Sequence, residues 1–254
     1  MHPILLKVNS LNVYSYGLMV ALGFAVAVYL MCRNAAKFSL NKDSIIDLSI
    51  LVLVTGVAGA RLLYVLLNMK YYIANPLEIP QLSKGGLVWY GGFLAAIFAM
   101  MIYVRRKGLG FLTVADFFVP YLALAQGFGR IGCFLNGCCY GIEAPPGYPL
   151  GVIFPQDICP RHPTQIYAAL ALILIYITLR FWQEKPHFTG EIFLAYCMLY
   201  SGKRFLIEFA RGDNPRVILG LTLSQVLSIA IFLISLLVFI KKRSGWSQKN
   251  TVSK

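Results

Sequence analysis

The sequence has little charge for its length, and most of that charge is positive. Only 13% of its 254 residues are Asp, Glu, Lys or Arg, and 23 basic residues outnumber 10 acidic ones, for a net charge of +13. With 58% apolar residues and a mean hydropathy of +0.69, the composition is typical of an integral membrane protein. It leaves no room for a separate soluble domain, so we predict a single membrane domain over residues 1–254.

A signal-peptide cleavage site is also missing. The first apolar run follows a single lysine, extends for about 20 residues and has no small-residue cleavage motif. We therefore expect a retained helix at this position. Internal repeats and low-complexity segments are likewise not evident, which argues against a repeat architecture.

The apolar runs predict an all-α, polytopic membrane protein with about seven transmembrane helices. The expected spans are Val13–Cys32, Ile45–Leu67, Leu87–Val104, Phe111–Gln126, Thr164–Trp182, Glu191–Glu208 and Leu219–Ile240. The fourth is short because it leads directly into a glycine-rich segment. After the last span, the polar tail 241–254 is expected to fray.

The basic residues fall mainly in alternate connections between these runs. One side holds Arg33, Lys37, Lys42, Arg105, Arg106, Lys107, Arg180, Lys185, Lys241, Lys242 and Arg243. The excess of Lys and Arg predicts that this side is cytoplasmic, with the N-terminus outside and the C-terminus inside. Orientation and anionic lipid explain the positive charge, so we do not expect nucleic acid as a partner.

The outer side carries an unusual polar segment, Gly127–Gly141, with the sequence GFGRIGCFLNGCCYG. We expect it to open an outer loop over residues 127–163. Polar groups at membrane depth are costly and usually mark a functional site. Its glycines, up to Gly141, would let the backbone approach an anionic ligand. Asn136 supplies a neutral donor and acceptor, or else caps a turn.

Several arginines accompany this segment. Arg61 lies inside the second span, and Arg204 and Glu208 occupy positions i and i+4 on one face of the sixth span. The set that we assign to a binding site comprises Arg61, Arg130, Tyr200, Arg204, Glu208 and Arg211. Guanidinium groups pair with phosphate oxygens, so the set predicts a receptor for a phosphodiester such as a lipid headgroup. The alternative is that Arg61 and Arg204 form structural ion pairs, with Glu208 as the partner of Arg204.

His162 precedes Pro163 and Thr164, which suit the start of the fifth span. It is the only one of three histidines on the outer side near the motif, which makes it either part of the helix cap or an acid or base.

The outer segment also holds four cysteines. They are Cys133, Cys138, Cys139 and Cys159. A disulfide ranks first if the compartment is oxidising, with plain packing of the thiols as the other main possibility. A metal site would need better ligand spacing than CxxxxCC supplies, so we assign no metal or other cofactor. A nucleophilic thiol, activated by the nearby arginines, ranks third.

The motif resembles the signature of a known family. GRIGCFLNGCCYG is similar to the GRxGNFxNxE segment of the bacterial prolipoprotein diacylglyceryl transferases. Further landmarks follow in the family's order: Tyr16-Gly17, GAR at 59–61, GGLVWYGG at 85–92, HPTQ at 162–165, and Tyr200 through RFLIEFAR at 204–211. The resemblance covers nearly the whole chain.

The resemblance implies transfer of a diacylglyceryl group from phosphatidylglycerol to the lipobox cysteine thiol of a prolipoprotein, with release of glycerol phosphate. It also implies a bacterial cytoplasmic membrane. Arg130 and Arg204 would hold the phosphodiester and stabilise its developing charge. Glu208 would orient Arg204, and Tyr16 and Tyr200 would donate phenolic hydrogen bonds. Arg61 would be a structural or phosphate-side charge.

The sequence departs from the family pattern at three positions. Cys133 replaces the signature asparagine, Cys138 replaces the acidic residue, and Tyr90 stands where a histidine is expected. Tyrosine has an ordinary pKa near 10 and is a poor base unless a cation lowers it. Two alternatives therefore stay open: a phospholipid-dependent transferase with another acceptor, and a non-catalytic lipid-binding relative.

Overall fold

The fold was analysed in a computed structural model that describes residues 2–8, 11–38, 40–81, 85–145, 147–155, 157–218 and 220–252. Helix accounts for 71% of the structure, which confirms the all-α class. The helices are α1 (Ser15–Asn34), α2 (Lys42–Leu67), α3 (Met69–Ala74), α4 (Trp89–Arg106), α5 (Phe111–Asn136), α6 (Thr164–Trp182), α7 (Glu191–Glu208) and α8 (Leu223–Val252).

Three small antiparallel hairpins accompany the helices. They pair β1 (Ile4–Val8) with β2 (Leu11–Tyr14), β3 (Val152–Ile153) with β4 (Pro160–Arg161), and β5 (Arg216–Ile218) with β6 (Leu221–Thr222). Short 3-10 turns follow at Ala35–Phe38 and Pro76–Glu78.

In the described parts of the chain, five helical segments are long and apolar enough to cross a membrane. They are Ser15–Phe38, Lys42–Leu67, Phe111–Asn136, Thr164–Trp182 and Leu223–Trp246. Adding α4 and α7 would give the seven expected spans, and that number stays a prediction. The expected bounds of α6 and α7 are confirmed.

Two helices, α5 and α8, extend well beyond their expected ends, whereas α1 and α4 end only slightly later than expected. α5 continues to Asn136 instead of ending at Gln126, so the first part of the expected loop 127–163 is helical. At two of the three glycines in this stretch a neighbouring helix packs close: Gly127 faces α6 and Gly132 faces α1, whereas a Cβ atom on Gly129 would meet nothing within 4 Å. α8 continues to Val252 where a frayed tail was expected. Leu219, the expected start of the last span, lies outside the described residues.

The chain forms two compact units, residues 1–30 with 115–254, and residues 31–114. In the first unit, α5, α6 and α7 share a buried apolar cluster. It contains Val119, Ala123, Leu172, Ile175, Leu179, Ile192, Ala195 and Tyr196. The cluster holds together the three helices that carry most of the predicted site residues.

The amino end of α7 is fixed by a side chain of α5. Asp116 Oδ2 accepts a hydrogen bond from the Gly190 backbone N–H at 2.5 Å, and Oδ1 accepts one from Phe193 N–H at 2.8 Å. Gly190 adopts a φ of 95°, which suits glycine. A carboxylate at a helix amino end satisfies otherwise unpaired N–H groups and the helix dipole.

In the second unit, α2 and α4 pack through glycines. A Cβ atom on Gly59 would lie 2.6 Å from the carbonyl oxygen of Gly91, and one on Gly91 would lie 2.4 Å from that of Gly59. Small residues permit this close approach, which is the main source of packing between helices in lipid.

Candidate active site

A cleft in the first unit collects side chains from α5, α6, α7 and the segment after α7. Its lining residues are Arg130, Thr164, Ala168, Lys203, Arg204, Ile207 and Arg211. Four of these seven side chains are cationic. A concave surface with one sign of charge attracts and concentrates an anion, and guanidinium groups pair well with phosphate oxygens.

The predicted partnership of Arg204 and Glu208 is present. Arg204 Nη1 lies 2.9 Å from Glu208 Oε2, and Arg204 Nη2 donates to Ser224 Oγ at 2.8 Å. Glu208 is only 2% exposed, and its Oε1 accepts hydrogen bonds from Asn214 Nδ2 at 2.7 Å and Thr222 Oγ1 at 2.8 Å. The carboxylate therefore fixes the direction of the Arg204 side chain toward the cleft.

Arg211 is held by a neighbouring carboxylate. Its Nε donates to Asp213 Oδ1 at 2.9 Å, and its Nη2 pairs with Oδ2 of the same residue. The hydrogen bond from Arg211 lowers the pKa of Asp213, so this carboxylate is charged at neutral pH. Arg211 thus lines the cleft from a defined position.

Two predicted tyrosines lie on helices next to this cleft. Lys203 Nζ is 4.0 Å from the ring centroid of Tyr200, a cation–π contact. On α1, Tyr16 packs against α5 at Gly132, where a Cβ atom would meet Tyr16 Cα at 3.3 Å. Tyr16 keeps 47% of its surface exposed.

The segment after α5 is anchored to the start of α6. Thr164 Oγ1 donates to the carbonyl oxygen of Cys139 at 3.0 Å, and Gln165 Nε2 donates to that of Cys138 at 2.7 Å. Asn136 is the last residue of α5, and its side chain hydrogen-bonds to the Cys138 thiol. In this structure Asn136 therefore supports the turn.

Gly141 lies where three segments meet. A Cβ atom there would lie 2.3 Å from the Ala210 carbonyl oxygen, 2.8 Å from Thr164 Cγ2 and 2.9 Å from His162 Cβ. The Gly141 N–H donates to the His162 carbonyl at 2.8 Å. Packing thus requires glycine at 141, and a contact between this glycine and a bound ligand stays a prediction.

His162 has aromatic neighbours. Its Nδ1 is 3.3 Å from the hydroxyl of Tyr167, and its ring centroid is 4.7 Å from that of Tyr148. α6 begins at Thr164 as expected, and no side chain caps it. His162 accordingly braces the outer segment through its ring.

All six cysteines, each within the described chain, are free thiols, so the predicted disulfide is not formed. A hydrogen bond from the Cys133 thiol, aided by Arg211 and Arg130, lowers the pKa of Cys139 to about 5. Burial raises the pKa of Cys138. Cys139 is therefore the thiolate of this segment at neutral pH.

Arg61 and Tyr90 belong to the second unit. Arg61 is 6% exposed and donates to the carbonyl oxygens of Glu78 at 2.7 Å, Ile79 at 2.8 Å, Gly85 at 2.7 Å and Gly86 at 3.2 Å. These bonds hold the connection between α3 and α4. This arrangement favours a structural role for Arg61 over the predicted substrate contact. The structural alternative was an ion pair, whereas these bonds go to backbone carbonyl oxygens.

Tyr90 lies in the first turn of α4 and is 56% exposed. Trp89 is the first residue of the helix, and Val88, which has an extended backbone conformation, is its N-cap. The side chain at position 90 is thus presented at the amino end of a helix.

Sequence analysis missed several residues of the site. Lys203 lines the cleft, and Ser224, Asn214 and Thr222 hold the Arg204–Glu208 pair. The sequence did hold a signal for Lys203. It lies three residues after Tyr200 and therefore on the same face of the helix. The other three lie beyond the end of α7, where helical spacing gives no signal for their contacts with the pair.

Comparison with known proteins gives a consistent result. The sequence model of the family described as prolipoprotein diacylglyceryl transferase matches residues 3–241. A phosphatidylglycerol–prolipoprotein diacylglyceryl transferase of Clostridium tetani is 37% identical over 245 residues, which cover 94% of this chain and 97% of the relative. The protein of the same name from Bordetella avium is 36% identical over 249 residues, covering 94% and 93%.

A third relative, phosphatidylglycerol–prolipoprotein diacylglyceryl transferase 2 of Clostridium perfringens, is 34% identical over 252 residues. The alignment covers 96% of this chain and 97% of that relative. The match therefore includes both compact units and every element that contributes to the cationic cleft. The chain belongs to the prolipoprotein diacylglyceryl transferase family.

Proposed function

We propose that this protein transfers the diacylglyceryl group of phosphatidylglycerol to the cysteine thiol in the lipobox of a prolipoprotein and releases glycerol phosphate. The observation that carries the proposal is the cleft with four cationic side chains, Arg130, Lys203, Arg204 and Arg211. The names of the relatives supply the two substrates.

In the proposed reaction the acceptor sulfur attacks the glycerol carbon that carries the phosphate ester. A carbon–sulfur bond forms, the carbon–oxygen bond to phosphate breaks, and the thiol proton passes to a base. Negative charge collects on the departing glycerol phosphate. Arg130 and Arg204 stabilise that charge from preorganised positions, which is the main form of catalysis available to a site without a covalent intermediate.

Glu208 acts as a positioning residue for Arg204, through the ion pair of 2.9 Å. Tyr16 and Tyr200 donate hydrogen bonds to the headgroup, and Arg211 contributes charge at the cleft rim. Tyr90 can take up the thiol proton only as a phenolate, because a neutral phenol is a poor base at neutral pH. Since an acceptor thiol titrates near a pKa of about 8.5, modest help from a base is sufficient.

The remaining predicted contacts take supporting roles. Asn136, Gly141 and His162 shape the segment between α5 and α6 next to the headgroup, and Arg61 holds the connection before α4. No metal or other cofactor takes part in the proposed step.

The protein is a multi-pass bacterial membrane protein, and we propose seven spans with the N-terminus outside and the C-terminus in the cytoplasm. The excess of Lys and Arg in alternate loops supports this orientation. It places the cleft at the outer face of the cytoplasmic membrane, where the acceptor cysteine of a prolipoprotein arrives.

The activity is tested with purified full-length protein, labelled phosphatidylglycerol and a peptide that contains a lipobox cysteine. We expect a mass gain of one diacylglyceryl group on the peptide and an equal amount of glycerol phosphate. Release of glycerol phosphate without peptide modification would identify another acceptor. Neither product would favour the non-catalytic alternative.

Replacing Arg130 by Ala in the same assay tests the phosphate site. Loss of one preorganised charge contact is expected to lower turnover by at least about 100-fold. Arg216→Ala is the matched control, because Arg216 is an exposed arginine of the same unit outside the cleft lining. Equal activity of the two variants would contradict the role of Arg130.

A further inference from the structure

Three sulfur atoms come together at the carboxyl end of α5. The Sγ atoms of Cys133, Cys138 and Cys139 all lie within 4.8 Å of one another, and all three thiols are free. Within the described chain, the group consists of these three thiols alone. The sequence spacing did not predict this group, because residues five and six positions apart do not share a helical face.

The end of the helix produces the cluster. α5 ends at Asn136, and Gly137 reverses the chain with a φ of 73°. The Cys138 N–H then donates to the Cys133 carbonyl at 3.1 Å, and the Gly137 N–H donates to that of Phe134 at 3.1 Å. This is the hydrogen-bond pattern of a glycine-terminated helix, in which the chain folds back over the last turn. Cys138 is thereby placed beside Cys133.

Cys139 completes the group in a strained conformation. Its φ is 64°, and it is the only residue other than glycine with positive φ in the described chain. Such a conformation is costly and persists only where the surroundings enforce it, often at functional sites. Here Thr164 and Gln165 bond to the carbonyl oxygens of Cys139 and Cys138 and keep the turn in place. The three thiols are thus preorganised by a second layer of contacts.

The dimensions suit three sulfur ligands around one ion. With metal–sulfur bonds of about 2.3 Å, three ligands in a trigonal plane lie about 4 Å from one another. The observed group would contract by less than about 1 Å to reach that geometry. Cys133 is buried, whereas Cys138 and Cys139 are partly exposed, which leaves a path for an ion to enter.

The choice of ion follows from ligand type, number and charge. Thiolate sulfur is soft and selects Cu(I) or Zn²⁺ over hard cations. Zn²⁺ normally takes four ligands, whereas this group offers three. Three thiolates around a monovalent ion leave a net charge of −2, and the positive charges of Arg130 and Arg211 act on Cys139. The cationic neighbours therefore offset the charge of a trigonal Cu(I) complex.

We propose that Cys133, Cys138 and Cys139 form a trigonal binding site for a thiophilic metal ion, Cu(I), beside the cationic cleft. Arg130 lies one helical turn before Cys133, so the two sites share one face of α5. On binding, those of the three sulfurs that still carry a proton release it to solvent, and three sulfur–copper bonds form with no change of oxidation state. The site does not depend on the proposed transferase activity.

The test uses full-length protein in detergent micelles, reduced and then freed of reductant under anaerobic conditions. Thiols are counted first, and Cu(I) is then presented in competition with a chromophoric Cu(I) chelator. We expect one Cu(I) per chain, and X-ray absorption should show three sulfur neighbours near about 2.3 Å. Failure of the fully reduced wild-type protein to retain Cu(I) would overturn the proposal, whatever the transferase assay shows.

Two serine variants separate the cluster from the other outer cysteine. Cys138→Ser should weaken Cu(I) binding by at least about 100-fold, since even the loss of a supporting residue costs 10- to 100-fold. Cys159→Ser is the matched control and should bind as the wild type does, because Cys159 is a partly exposed thiol outside the group. Equal affinity of the two variants, or retention of Zn²⁺ but not Cu(I), would refute the trigonal Cu(I) site. Cys133→Ala provides a second ligand variant if Cys138→Ser is unstable.

Discussion

At the scale of single residues, Glu208 shows how a buried charge directs a functional one. The carboxylate is almost fully buried and contacts Arg204, Asn214 and Thr222. A buried charge is tolerated only with such partners, and removal of one partner leaves the other uncompensated. The position of Arg204 therefore depends on Glu208 as well as on its own helix.

Replacing Glu208 by Gln should lower turnover by about 100-fold, since Arg204 loses the charge that orients it. The protein should still fold, because glutamine has a similar volume and can accept a hydrogen bond. Transferase kinetics and thermal unfolding in the same detergent measure the two effects. Glu184→Gln, at an exposed glutamate, is the control. Normal turnover in Glu208→Gln would show that Arg204 needs no orienting carboxylate.

Cys139 gives a pH-dependent prediction. The hydrogen bond from Cys133 lowers the pKa of Cys139 to about 5, below its ordinary value of 9.0. The group therefore stays a thiolate as the pH falls from 9 and becomes protonated only near pH 5. Iodoacetamide should label Cys139 at pH 6 to 7, where Cys138, with a raised pKa, stays protonated.

The labelled position is read by mass spectrometry of proteolytic peptides. Cys139→Ser should abolish labelling at pH 6, and Cys159→Ser should leave it unchanged, because the pKa of Cys159 is raised by Glu143. Labelling of Cys139 that begins only above pH 8 would contradict the assignment.

At the scale of elements, the contact between α2 and α4 depends on glycine. Lipid tails are as apolar as leucine, so helices in a membrane gain little from burying apolar surface and associate through close packing. Gly59 approaches Gly91 and Ala95 so closely that a Cβ atom would lie 2.3 Å from Ala95 Cβ. The backbone of one helix would have to move to admit a side chain.

Gly59→Val should therefore destabilise the protein by about 1–3 kcal/mol, the usual range for overpacking. Gly245→Val is the control, since a Cβ atom at Gly245 meets nothing within 4 Å. Thermal unfolding in detergent provides the measurement. If both variants unfold at the wild-type temperature, α2 and α4 do not need this close contact.

At the scale of the whole molecule, orientation follows from charge. Lys241, Lys242 and Arg243 end the last apolar run, and Arg180 and Lys185 flank the connection between α6 and α7. Short loops rich in Lys and Arg remain in the cytoplasm. In the proposed orientation the cleft residues face the outside, where the proposed acceptor would be found.

Reporter fusions test this topology. Green fluorescent protein should fluoresce when fused after Lys254 or inserted after Gln183. Alkaline phosphatase should be active when inserted after Pro149, in the segment between α5 and α6. Phosphatase activity at the C-terminus would reverse the orientation and place the cleft in the cytoplasm.

The sequence by itself determined the features that depend on local pattern. The length and period of apolar runs located α6 and α7 to the residue, because the hydrocarbon core and the helical repeat limit the possibilities. The spacing of Arg204 and Glu208 was enough to predict their ion pair. The division of the sequence into apolar runs was wrong at the end of α5. The glycines of 127–132 hid the continuation of this helix to Asn136.

Only the tertiary structure decided how distant segments meet. The carbonyl oxygens around Arg61 come from residues 78, 79, 85 and 86. The packing role of Gly141 comes from the segment after α7. The three thiols converge because one glycine reverses the chain and α6 holds the turn. Such contacts arise from chain reversals and packing between elements, which leave no periodic trace in the sequence.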